Sequence, residues 1–62
     1  MFTVRLTSKT DPYSASIFLH NVFQVECTYN TRNQLCWFVR RNGCESRLFP
    51  VRDYYLDAEE EA

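Results

Sequence analysis

Glycine occurs once in this 62-residue chain, histidine, tryptophan and lysine once each, and proline twice. A chain so poor in glycine and proline is neither low-complexity nor disordered along most of its length. Its one glycine, Gly43, follows Asn42 in a hairpin signal, which leaves none to form a phosphate-cradling loop. No run of 18 apolar residues exists, and Met1-Phe-Thr-Val-Arg has neither the basic start nor the apolar stretch of a signal peptide. A cytoplasmic, non-membrane protein is the expectation.

Three cysteines, Cys27, Cys36 and Cys44, make an odd count at spacings of nine and eight residues. That matches neither a disulfide framework nor a C-x-x-C metal site. Cys27 and Cys36 are instead expected as small buried apolar groups. His20 has the opposite strand parity to Cys27, so a Cys-His pair is not supported, and it is expected at the surface or at a corner. Carboxylates cluster only at the C-terminal end. No catalytic group, metal or cofactor is expected.

What is abundant is apolar and aromatic side chain, 45% and 16% of residues. Such richness is needed, because 62 residues lie near the lower limit for burying a self-sufficient core. Charge is divided unevenly. Residues 1–56 carry a net +3, with six of the seven cations arginine, and Asp57, Glu59, Glu60 and Glu61 add −4. The expected organisation is one small β domain over residues 1–56 and an acidic, mobile tail over residues 57–62.

Phe2, Val4 and Leu6 alternate with Thr3, Arg5 and Thr7, the pattern of a half-buried strand. Asp11-Pro12 supplies a turn. From Ile17 to Asn30 the odd positions hold most of the apolar residues, a length that predicts a bend or bulge near His20-Asn21. Asn30-Thr-Arg-Asn33 is a second turn. Leu35 to Val39 is apolar on both faces and so central to the sheet. Asn42-Gly43 signals a type I′ hairpin. With a two-residue loop, Arg40 faces Glu45, Phe38 faces Arg47, Trp37 faces Leu48 and Cys36 faces Phe49. Pro50 ends the fourth strand, and Asp53-Tyr-Tyr-Leu56 forms a short 3₁₀ turn or begins a last one.

No apolar pattern of period 3.6 persists, so no long helix is expected. The fold class is all-β, four to five antiparallel strands, as a meander or a partly open barrel. The expected core is Val4, Leu6, Ile17, Leu19, Phe23, Val25, Leu35, Trp37, Val39 and Leu48. Phe38, Phe49 and Val51 share the other face of the hairpin and form a candidate homodimer face.

Trp37, Asn42-Gly43, Leu48-Phe49-Pro50 and Tyr54 or Tyr55 occur in the order found in the second half of an SH3 domain, which this half of the chain resembles. The resemblance implies an SH3-like barrel. The Ala-Leu-Tyr-Asp-Tyr first strand and acidic first loop of that family are absent, so a polyproline groove is not carried over.

The pairings of Arg40 and Arg47 leave Arg5, Arg41 and Arg52 uncommitted, with Trp37, Tyr54 and Tyr55 as their neighbours in sequence or across the sheet. Arginine with aromatics is the composition of protein interface hot spots and of platforms for single-stranded nucleic acid. The first expectation is a non-catalytic protein-binding module, a small regulatory or inhibitory accessory protein acting on a larger partner. The alternative is a nucleic-acid-binding small β-barrel using the same six residues.

Overall fold

The computed structural model describes residues 1–61 and contains strands and turns only. The strands are β1 (Phe2–Ser8), β2 (Ile17–Tyr29), β3 (Leu35–Arg41), β4 (Arg47–Pro50) and β5 (Tyr54–Glu60). All pair antiparallel in one open sheet of order β4-β3-β2-β1-β5. The all-β expectation is met, with five strands and no helix among the described residues. Val4, Leu6, Leu19, Val22, Val39 and Phe49 are buried together on one face, with Ile17, Val25, Trp37, Tyr54 and Leu56 packed around them.

The sheet curls around this core without closing. Its accessible surface is 4598 Å², against about 4200 Å² for a typical folded chain of 7.4 kDa. Large apolar side chains account for part of the excess, among them Phe2, Phe18, Phe23 and Leu48, all more than two-fifths exposed.

The bend expected near His20-Asn21 is present, and β2 is offset twice. Val4 faces Leu19 but Phe2 faces Val22, so His20 and Asn21 together oppose Thr3. Asn21 adopts φ 59°, a left-handed conformation that asparagine accepts more readily than most residues. Val22 then faces Arg41 while Gln24 faces Arg40, which leaves Phe23 as the extra residue on the other side. Core positions therefore run Ile17, Leu19, Val22, Val25. A single offset would have put every later side chain on the wrong face; the second restores the odd parity at Val25. Phe23, expected in the core, is 51% exposed, and Val22 takes its place fully buried.

The β3–β4 hairpin departs from its expected register by one residue. Val39 faces Arg47, Phe38 faces Leu48, Trp37 faces Phe49 and Cys36 faces Pro50. Gly43 has φ 74° while Asn42 is not left-handed, so the two positive φ values of a type I′ turn are not both present. A longer loop results, with β4 beginning only at Arg47. The slip exchanges faces along β4. Phe49 moves into the core beside Trp37 and Val39, and Leu48, expected in the core, sits outside at 48% exposure. Leu35, also expected inside, is 41% exposed.

Residues 57–60, expected as a mobile tail, are the second half of β5. Asp57, Ala58, Glu59 and Glu60 pair with Arg5, Val4, Thr3 and Phe2. Arg5 holds Asp57 at 3.1 Å, and Glu61 bonds back to the sheet as described below. The Arg5–Asp57 ion pair at one end and the Glu61 contacts at the other hold these residues in the sheet despite the low strand propensity of acidic side chains. Ala62 lies outside the described residues.

Candidate functional site

The six residues expected to share a partner-binding surface are dispersed, and each has a local contact. Tyr54 and Tyr55 point to opposite faces of β5, as neighbours in a strand must. Tyr54 packs edge-on to Phe49 with ring centroids 5.7 Å apart. Tyr55 lies under the Lys9 ammonium at 4.7 Å. Trp37 is half-buried, with its indole N–H given to the Tyr54 main-chain oxygen at 3.3 Å. Among the arginines, Arg5 pairs with Asp57, Arg41 donates from Nε to the His20 carbonyl at 3.0 Å, and Arg52 lies 3.8 Å from Asp53.

The expected cross-strand pairs are replaced as the register dictates. Arg40 meets Glu26 at 3.6 Å rather than Glu45, and stands over Phe38 at 5.0 Å. Arg47 covers Phe49 at 4.8 Å rather than Phe38. The Phe38, Phe49, Val51 face does not form: Phe49 is buried, Phe38 joins Leu48 on the outer face, and Val51 sits in the turn after β4. Cys36 is buried, but Cys27, expected to be buried with it, is exposed. Cys27 faces Trp37 and Cys36 faces Thr28, so the two thiols lie on opposite faces of the sheet and cannot be bridged.

At the first offset of β2, four polar groups converge. The Thr3 hydroxyl donates to Glu61 Oε2 at 2.8 Å and lies 3.0 Å from His20 Nδ1. The Asn21 N–H donates to the same carboxylate oxygen at 3.0 Å, and His20 Nδ1 is 3.8 Å from it. These contacts hold Glu61 below the ordinary carboxylate range, the Asn21 N–H contributing most, then the Thr3 hydroxyl, with a smaller part from His20. The Thr3 proton is committed to the carboxylate, and His20 is exposed. The group is chemically a latch that fastens the end of β5 to the bulge, with no activated nucleophile in it.

Two apolar recesses open on the surface. One, of about 360 Å³, is lined by Gln34, Leu35, Pro50, Val51 and Arg52. It brings together two sequence-predicted residues, Val51 and Arg52. The other, of about 160 Å³, lies between the middle of β2 and the end of β5 and is lined by Phe2, Val22, Phe23, Gln24, Val25 and Ala58. Val22 forms its floor, while Phe2 and Phe23 stand 41% and 51% exposed at its rim.

Sequence reasoning missed this second recess because one odd parity along β2 assigned Phe23 to the interior. Asn21, one of the few residue types that tolerate the left-handed region, was the available sign of a parity break. No protein-family model, curated protein or solved structure matches the chain.

Proposed function

We propose that the chain is a non-catalytic protein-binding module, a small regulatory or inhibitory accessory protein that attaches to a larger partner in the cytoplasm. The observation that carries this reading is the recess between Ala58 and the β2 bulge, with Phe2 and Phe23 exposed at its rim. Exposed aromatics grouped around a shallow apolar recess are characteristic of interface anchors. The arrangement of the arginines favours a protein over a nucleic acid: Arg5, Arg40 and Arg52 face carboxylates, Arg41 holds a carbonyl, and they form no shared stripe.

An SH3-like barrel is the finer description of the fold. The order β4-β3-β2-β1-β5, with a long bent β2, supports it. Trp37, however, is spent on the core and on the Tyr54 carbonyl rather than displayed, so the ligand surface differs from a polyproline groove.

A peptide display library selected on the full chain tests the proposal, with Phe23→Asp as the comparison. Selected binders lose about tenfold or more in affinity on Phe23→Asp, as loss of an aromatic anchor predicts. Oligonucleotide binding that falls steeply with salt, with no peptide selected, would replace the protein partner with a nucleic acid. Light scattering across a dilution series identifies self-association.

A further inference from the structure

We infer that the open edge of β5 is a strand acceptor. It takes an extended antiparallel segment of a partner in which two basic residues oppose Glu60 and Glu59 and the next, apolar residue opposes Ala58 and enters the recess. This deepens the protein-binding reading and rests on it.

The main chain of β5 alternates in direction. The Lys9 N–H donates to the Asp53 carbonyl at 2.8 Å, and the Glu61 N–H donates to the Met1 carbonyl at 3.0 Å. Odd-numbered residues of this strand therefore aim their backbone at β1. Leu56, Ala58 and Glu60 aim theirs away from it. The Tyr54 carbonyl also faces outward, and the Trp37 indole caps it. Beyond that cap, three N–H and three C=O groups stand in a row with no protein partner among the described residues. An edge of this kind is a ready template for another strand.

The opposite edge is blunted. Strand β4 has four residues, and the Val51 N–H donates to the Leu35 carbonyl, so Leu48 and Pro50 are the residues whose backbone turns outward. Pro50 has no N–H, and its carbonyl accepts from Asp53 at 3.1 Å. Of the two strands that end the sheet, β5 offers the longer edge, and the apolar recess abuts it at Ala58.

Charge selects the occupant. Asp57 is neutralised by Arg5, whereas Glu59 and Glu60 have Thr3 and Phe2 as cross-strand neighbours and no cation within ion-pair distance among the described residues. A second copy of the chain is disfavoured there, because β5 has no cation to offer: paired antiparallel with itself about Asp57 it sets Glu59 and Glu60 against Tyr55 and Tyr54, and about Ala58 it sets Glu59 against Asp57. A segment reading basic-basic-apolar-any-apolar, from the position opposite Glu60 to that opposite Leu56, satisfies both carboxylates. Its apolar residues fall on the recess side, since alternate residues share a face.

The experiment titrates ¹⁵N-labelled full chain with two short peptides, one centred on Lys-Arg-Val-Thr-Val and one on Glu-Glu-Val-Thr-Val. The basic peptide is expected to bind and to slow hydrogen exchange at the Leu56, Ala58 and Glu60 N–H groups. The exposed double substitution Glu59→Lys, Glu60→Lys, with its fold checked by the same spectra, weakens that binding about fivefold and reverses the preference between peptides. Equal binding of both peptides, or binding without protection of those three N–H groups, would overturn strand addition. Display-selected peptides that depend on Phe23 yet leave the edge unprotected would overturn it too, while sustaining the protein-binding reading. Absence of any peptide binder overturns both.

Discussion

The indole N–H of Trp37 donates to the main-chain oxygen of Tyr54 at 3.3 Å, a bond from β3 to β5 between strands three places apart in the sheet. The edge-on contact of Phe49 with Tyr54 runs beside it. Together they draw β5 over the core from the far end of the sheet. The curl of the sheet thus rests on side chains where a closed barrel would have a ladder.

Replacing Trp37 with Phe keeps most of the apolar bulk and removes the bond. The expected cost is about 1 kcal/mol, which in a domain of this size lowers the Tm by roughly 4 to 8 °C. Thermal unfolding followed by circular dichroism measures it, since the substitution removes the only tryptophan. An unchanged Tm would mean that the bond does not hold the curl.

Val22→Ala and Phe23→Ala report the offset in β2. Val22 is fully buried and Phe23 half exposed, so the smaller side chain has the larger effect: about 2 kcal/mol for Val22 and about 0.5 kcal/mol for Phe23. Chemical denaturation of the two variants decides, and the reverse ranking would restore a single parity along the strand.

Asn21 occupies the left-handed region at φ 59°. Asn21→Gly is expected to be neutral and Asn21→Ala to cost about 1 kcal/mol, because alanine keeps the Cβ that is strained in this region and lacks the short amide side chain that lets asparagine tolerate it. Equal stabilities in urea titration would show that the bulge has relaxed.

Glu61 titrates below the ordinary carboxylate range, chiefly through the Asn21 N–H and then the Thr3 hydroxyl. A carboxyl depressed in the folded state stabilises it fully at neutral pH and loses that contribution as the pH falls through the folded value. The Asn21 amide signal should therefore move with a midpoint below that of an ordinary glutamate. In Thr3→Ala the midpoint should rise. A wild-type midpoint at the ordinary value would mean that the latch is open in solution.

The thiols offer a further check. Cys27 and Cys44 are exposed and Cys36 is buried, so a thiol reagent should modify two groups in the folded protein and the third only on unfolding. Rapid modification of all three would contradict the placement of Cys36.

Strand identities were legible because each is a local matter: Phe2, Val4 and Leu6 alternate, Asn30 to Asn33 turn, and the bend at His20-Asn21 follows from an overlong strand. Faces were harder. Whether Phe49 or Leu48 enters the core depends on one residue of loop after Arg41, and whether Val22 or Phe23 does depends on offsets set by two neighbouring strands. The continuation of β5 past Leu56 was missed because its acidic residues argue locally against a strand, while the Arg5 and Thr3 side chains that receive Asp57 and Glu61 lie more than 50 residues away. The recess and the open edge depend on both misplaced elements, so the binding surface was hidden behind them.

The paired offsets of β2 also limit how the chain can change in length. Removing one residue at either offset would leave one residue opposite one, closing that offset with Val22 and Val25 still facing the core. Removing one from a regular stretch of the strand would turn every following side chain through to the other side. Length variation should be tolerated at the two offsets and rejected between Ile17 and Leu19 or beyond Val25.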